Sequence, residues 1–305
     1  MQLHKKIAQW VVVGLFTIGF VRGGDVTGMA FLKLPVDARS AAMGEVSVAF
    51  NGQASAVFQN PAALAFNTKK SLAFMHNAYL ADIAQEFAAF QFANGTHNLA
   101  LALNVVDIPG IEIRGTRPTT QPDGTTDAIN LAFALAYARR YHTDWAFGVT
   151  AKYLFEKYYL ASATGWALDF GLQRHNFLTR GLTCGLVLQN VGKMNKLKDE
   201  ATSLPLIARA GVNYTLPLQW LKGHPLVAAE WEQLLNSDDG AVRLGFELPM
   251  LQTFTLRLGT ILTSPKVRYS LGFGLHYHRY QINYAFSPYP FDLGNSHRFS
   301  LNVLW

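Results

Sequence analysis

From Ser71 onward one pattern recurs along the chain: bulky apolar residues at every second position, with small or mildly polar residues between them. The clearest stretch is 129–138, where Ile129, Leu131, Phe133, Leu135 and Tyr137 alternate with Asn130 and alanines 132, 134, 136 and 138. Farther along, Trp145, Phe147, Val149, Tyr153 and Phe155 oppose Gly148, Thr150, Lys152 and Glu156. A period of two puts each set on one face of an extended strand, whereas a helix would scatter both around its circumference. The pattern predicts about fourteen strands, near 71–79, 84–93, 97–106, 126–141, 143–158, 162–175, 181–191, 205–216, 224–235, 240–248, 252–262, 266–276, 278–286 and 296–305. The last of them, "HRFSLNVLW", sets Phe299, Leu301, Val303 and Trp305 on one face. In a soluble protein that is a strand with one face on the core. In a membrane barrel it is the closing strand, which faces lipid and ends at an interface where Trp is favoured.

Three further features favour the barrel. The bulky face has no richly charged face opposite it; the other side carries Gly, Ala and isolated charges, namely Lys152, Glu156, Asp169, Arg209, Glu230, Arg243, Glu247, Arg257, Arg268 and Arg298. That suits a confined lumen better than a solvated surface. Charged residues make up 15% of the chain and apolar ones 50%, against a usual charged quarter, yet no run after the first twenty or so residues is long enough for a membrane helix. The three longest connections, "DIPGIEIRGTRPTTQPDGTT", "GKMNKLKDEATSL" and "SPYPFDLGN", all fall at odd positions, as expected when both termini lie on the periplasmic side.

The first residues read as a secretion signal: Lys5 and Lys6, an apolar stretch from Ile7 to Phe20, and Val21-Arg22-Gly23 as a cleavage site. Residues 1–23 are therefore expected to be removed, which lowers the formal charge from +6 to +3. The remaining basic residues are scattered, which argues against nucleic acid as a partner. One cysteine, Cys184, cannot form an internal disulfide and argues against cysteine-based zinc sites.

Residues 24–68 break the alternation. "DARSAAMGE" reads as a short helix and "VSVAF" as a short strand; "NPAAL" reads as a helical turn with Asn60 as its cap and Pro61 at its first position. Such a compact, irregular piece is the natural plug for the lumen, leaving 69–305 as the barrel. Phe31-Leu32, Ala38-Arg39, Met43-Gly44 and Asn60-Pro61-Ala62-Ala63-Leu64 are together similar to the N-terminal signature of the PorV/PorQ family, outer-membrane barrels related to the FadL long-chain fatty-acid transporter. The closing stretch, with Tyr284-Ala285-Phe286 and Leu293-Gly294-Asn295-Ser296-His297-Arg298, resembles the last hairpin of that family. The resemblance implies an all-β, fourteen-stranded transmembrane barrel with an N-terminal hatch. It implies a role in type IX protein secretion or, alternatively, a FadL-like passage for hydrophobic small molecules. Its expected partners are outer-membrane lipid, the barrel assembly machinery, and secretion-system proteins or a hydrophobic ligand.

Candidate chemistry is sparse. His276 and His278 flank Tyr277 without an evident third metal ligand, and Asp238-Asp239-Gly240 is first a hairpin-turn signal. No Gly-x-Ser-x-Gly elbow is present, so the expectation is a protein without catalytic residues, metal or cofactor. The hatch residues Arg39, Met43, Gly44, Asn60, Pro61 and Ala62 are the candidate site. Arg39 is expected to pair with a lumen carboxylate, because a lone charge in a confined space is costly.

Overall fold

The computed structural model describes residues 27–305 apart from 51, 117–119, 199, 220–222, 264–265 and 291–292. The expected signal, 1–23, lies outside the described residues. Strands β1 (Ser71–Ala78), β2 (Ala84–Asn94), β3 (His97–Ile113), β4 (Gly124–Tyr141), β5 (Trp145–Tyr158), β6 (Ala161–Arg174) and β7 (Leu182–Met194) form the first half of a sheet. A two-stranded loop hairpin, β8 (Lys196–Leu197) and β9 (Glu200–Ala201), precedes the second half. That half comprises β10 (Ile207–Thr215), β11 (Leu226–Leu234), β12 (Gly240–Pro249), β13 (Phe254–Thr263), β14 (Lys266–Tyr277), β15 (Tyr280–Pro288) and β16 (Asn295–Leu304). Leaving out β8 and β9, the fourteen strands form a closed antiparallel barrel, each pairing with its neighbours in sequence and β16 returning to β1.

Closure follows the register Ser71↔Leu304 to Ala78↔His297. Beyond it, the Trp305 amide donates to the Lys70 carbonyl at 3.1 Å and the Lys70 amide donates back at 3.2 Å. A closed ladder leaves no strand edge with unpaired amides, the condition for a sheet to sit in hydrocarbon. Among the described residues no helix is long and apolar enough to cross a membrane.

The alternation in the sequence is an alternation of burial. On β4, Ala132, Ala134, Ala136 and Ala138 are fully buried, while Phe133 and Leu135 are 45% and 49% exposed. The exposed bulky residues face out and the small ones face in, the reverse of a soluble sandwich. What buries the small face is the N-terminal segment. It contains helix α1 (Ala38–Ala42) and 3₁₀ turns at Ala30–Lys33, Ala54–Phe58 and Pro61–Phe66. Through these elements and the loops between them it touches inward residues of all fourteen barrel strands.

Three expectations need correction. "VSVAF" is not a strand: residues 46–47 are irregular, 48–49 form a turn and 50 a bend. Their backbone groups are taken by barrel side chains, so no partner strand is needed. Glu230 accepts from the Ser47 and Val48 amides at 2.8 and 2.9 Å, and Gln173 donates to the Ala49 and Phe50 carbonyls at 3.2 and 3.1 Å. The third connection is shorter than expected, because β3 and β4 continue their pairing past a register shift between Ile108 and Ile111. Pro109 and Gly110, which look like loop residues in sequence, are that bulge. The long-odd, short-even rule for connections holds only for the two longest odd ones. The odd connection 159–160 has two residues, and the even connection 216–225 is among the long ones.

Candidate functional site

The contact between residues 29–66 and the barrel's inner wall carries the candidate residues. It has three parts.

The first is the Asn60 turn. Asn60 is fully buried. Its Oδ1 accepts from the Ala62 amide at 3.1 Å, capping the Pro61–Phe66 turn, while Nδ2 donates to the carbonyls of Val48 at 2.7 Å and Leu172 at 3.3 Å. One side chain thus ties the cap, a neighbouring loop and the wall together. Pro61 starts the turn, where its missing N–H is not needed. The turn rests directly on strand backbone, because two wall residues lack side chains: a β-carbon on Gly171 would lie 2.1 Å from Asn60 Oδ1, and one on Gly148 2.3 Å from the Pro61 carbonyl carbon.

The second is the Met43-Gly44 corner that ends α1. Asp37 begins the helix, its carboxylate accepting from the Ser40 amide at 2.7 Å. Gly44 turns the chain at φ +69°, and its amide donates to Ser270 Oγ at 3.0 Å. Here too the wall is glycine: a β-carbon on Gly259 would lie 1.8 Å from the Gly44 nitrogen, and one on Gly245 2.7 Å from the Met43 carbonyl oxygen. Met43 itself is fully buried.

The third is a set of buried charges. Arg39 meets Glu247 through two bonds, Nε–Oε2 at 2.8 Å and Nη2–Oε1 at 2.9 Å. Arg257 reaches the same carboxylate at 2.7 Å. Burial opposes the charge on Arg39, but the Glu247 carboxylate outweighs it and holds the guanidinium above its ordinary value. Glu45, one residue past the Gly44 corner, lies 3.4 Å from Arg243 and 3.5 Å from Arg268. Arg243 and Arg209 share Glu232, at 2.8 and 2.6 Å. Lys152 lies 2.6 Å from Asp169 and 4.9 Å above the Phe58 ring. Paired in this way, charges tolerate a lumen that would reject them singly. Arg298 differs: it is 1% exposed, and its Nε and Nη2 have no acceptor among the described residues.

The structure thus sets all six hatch residues against the inner wall but in two places: Asn60, Pro61 and Ala62 on β5 and β6, and Arg39, Met43 and Gly44 on β12 to β14. Phe299, Leu301, Val303 and Trp305 lie elsewhere, on the outward side of β16; Phe299 is 52% and Trp305 47% exposed, while the alternate Ser300 and Asn302 are buried. Reasoning from sequence missed Glu45 and Glu232. It also missed the amide side chains that satisfy the segment's backbone, including Gln91 to the Leu64 carbonyl at 2.9 Å and Gln189 to the Phe58 carbonyl at 2.8 Å. Their position on the small-residue face was the available signal. The His276–His278 pair forms no metal cluster: no group of three or more His, Cys, Asp or Glu able to hold a metal occurs among the described residues.

A family model described as "Type IX secretion system protein PorV" matches residues 23–172, a span that takes in the whole N-terminal segment, β1 to β5 and all but the last two residues of β6. The chain belongs to the PorV family. Its fold is shared with the toluene transporter TodX of Pseudomonas putida at 12% identity and a TM-score of 0.67, covering 93% of this chain and 98% of that one. The toluene transporter TbuX of Ralstonia pickettii matches at 12% and 0.63, covering 88% and 97%. A Pseudomonas aeruginosa FadL homologue matches at 12% and 0.57, covering 88% and 98%. At such identities the PorV-family chain shares a FadL-like barrel with them, and nothing finer follows. No curated protein matches it in sequence.

Proposed function

We propose that this PorV-family barrel is an outer-membrane component of type IX secretion, with residues 24–68 as a hatch and a role in recognition rather than catalysis. The observation that carries the reading is the family match over 23–172, because it covers the hatch and the strands on which the Asn60 turn rests. The hatch supports a plugged barrel: polar side chains of the wall bond its backbone, and wall glycines admit it to van der Waals contact. On this reading the mature chain starts near Gly24, is folded by the barrel assembly machinery and contacts outer-membrane lipid. Deleting the gene should leave type IX cargo unsecreted in the periplasm, and affinity purification of the tagged barrel should recover other secretion components. Normal cargo secretion by the deletion strain would refute the role. N-terminal sequencing of the outer-membrane protein tests the cleavage site.

The fold shared with toluene transporters favours a second reading, passage of hydrophobic small molecules. Its test is uptake of a labelled aromatic or fatty acid by cells with and without the gene. Unchanged uptake, alongside lost secretion, separates the two readings.

A further inference from the structure

The two ends of the barrel differ in charge. The six connections at the end that holds Lys70 and Trp305 contain one acidic residue, Asp144, and the seven at the opposite end contain seven. At the first end Arg139, Arg140, Arg174, Arg180 and Arg279 lie in the turns or within three residues of them. With both termini there, this is the end that faces the periplasm in a membrane barrel. Two of these cations lie on the outward face. Arg139 follows Phe133, Leu135 and Tyr137 on the exposed side of β4, and Arg174 follows Phe170 and Leu172 on the matching side of β6.

Between them β5 presents Phe147, the ladder partner of Arg139, and Trp145, the ladder partner of Arg174. Two strand spacings and a two-residue offset set the two arginine Cα atoms about 12 Å apart, so both guanidinium groups reach the space over β5. The Arg174 guanidinium stacks 4.8 Å from the Trp145 ring centre and 5.1 Å from that of Phe177, and its Nε is buried with no acceptor among the described residues. Stacking occupies the faces of a guanidinium and leaves its N–H edge for an acceptor. Asp144 is already engaged: its carboxylate accepts from Asn176 Nδ2 at 3.1 Å. Arginine does not lose its proton, so the two charges stand at this rim with an acceptor still to be supplied from outside the turns.

We propose that Arg139 and Arg174 bind the phosphodiester of an anionic phospholipid in the inner leaflet of the outer membrane, its glycerol and acyl chains lying against Trp145 and Phe147. Tyr137, Tyr141 and Trp145 mark this level as the membrane interface, where lipid phosphates lie. Two arginine forks match phosphate oxygens in geometry and charge. A net negative headgroup is favoured over a zwitterionic one, because these turns offer no second carboxylate to receive an ammonium. Clustered cations at a membrane surface select anionic lipid for the same reason. The proposal rests on the barrel reading and specifies the lipid contact that reading implies.

The test is native mass spectrometry of the full-length detergent-purified barrel with equal amounts of phosphatidylglycerol and phosphatidylethanolamine. Wild type should retain the glycerol lipid over the ethanolamine lipid by roughly tenfold, about 1.4 kcal/mol. Arg139→Gln with Arg174→Gln should abolish that preference. Lys157→Gln with Lys193→Gln removes the same charge from exposed positions near the opposite rim and should keep it. Each variant should retain the heat-modifiable gel shift of a folded barrel; if the arginine pair does not, Arg174→Gln alone replaces it and should lower the preference at least threefold. Equal retention of the two lipids by wild type, a preference that survives the arginine substitutions, or an equal loss in the lysine variant overturns the proposal. So does displacement of the lipid by inorganic phosphate at the same concentration, which would make this a site for a free anion. A dimer of this chain that the arginine substitutions dissolve also overturns it, by making the rim a protein interface. A wild-type chain without the heat-modifiable shift would instead refute the barrel reading beneath it.

Discussion

Gly259 shows how single residues decide whether the N-terminal segment fits. A β-carbon there would press to 1.8 Å on the Gly44 amide, whereas one on Gly211, which is the more buried of the two, would meet its nearest neighbour at an ordinary 3.4 Å. Gly259→Ala should therefore cost roughly 1–3 kcal/mol through overpacking. Gly211→Ala should change stability by about 0.5 kcal/mol or less. The temperature at which the heat-modifiable band disappears measures both. Lys152 and Arg298 form a second contrast. Removing Lys152 strands Asp169, fully buried, so Lys152→Met should cost roughly 3–5 kcal/mol; Arg298 has no carboxylate partner among the described residues to strand, so Arg298→Met should be neutral or stabilising. The same thermal assay decides, and a loss at Arg298 equal to that at Lys152 would contradict the account. His175 supplies a pH dependence. It stacks on Phe66 with ring centres 3.5 Å apart, and its pKa falls from 6.5 to about 4. Burial is the main cause; Asp144 offsets part of it and Arg140 adds to it. The folded state resists the proton that the unfolded chain accepts, so this contribution is complete above pH 6.5 and is lost as pH falls toward 4. His175→Gln should flatten the change in thermal midpoint between pH 7 and pH 4.5; an unchanged slope would contradict it. None of these effects was legible in sequence, because each depends on which atom lies opposite.

Among the elements, β16 was the most readable and the segment before β1 the least. A strand with one lipid face and one lumen face must alternate along its whole length, so the pattern marks both the element and its sides. The structure places Phe299, Leu301 and Val303 outward and pairs the strand with β1. Leu301→Arg should cost roughly 2–4 kcal/mol if the site is near the bilayer midplane, and should reduce folded barrel in the outer membrane. Asn302→Ser, on the buried side of the same strand, should do little. Equal yields of the two on a heat-modifiability gel would show that this face does not meet lipid. Residues 46–50 misled for the opposite reason. Their apolar run has strand character, but the groups that satisfy their backbone are Glu230, Gln173 and Asn213, more than a hundred residues away. Local propensity cannot register such partners.

For the whole molecule the question is what fills the barrel. If residues 24–68 act as a hatch, deleting them should raise conductance in planar bilayers, compared between preparations that keep the folded-barrel gel shift. Unchanged conductance would leave the lumen closed by something else. The inner wall argues for the hatch: alanines there are buried although no strand covers them, and Asn60, Pro61, Met43 and Gly44 take the space left where the wall has glycine. The PorV-family match extends over this segment and its seat.

The sequence by itself determined the strands, their number, which face of each points outward, and the cap and first position of the Asn60 turn. Each of these depends on residues within a few positions of one another, where period and turn chemistry act. It also determined that Arg39 would need a carboxylate, since a confined charge requires one. Which carboxylate, and which glycines give way to which residues of the segment, was decided only by closing the sheet. Glu247 and Arg39 are 208 positions apart, and Gly259 faces Gly44 because fourteen strands come round to meet.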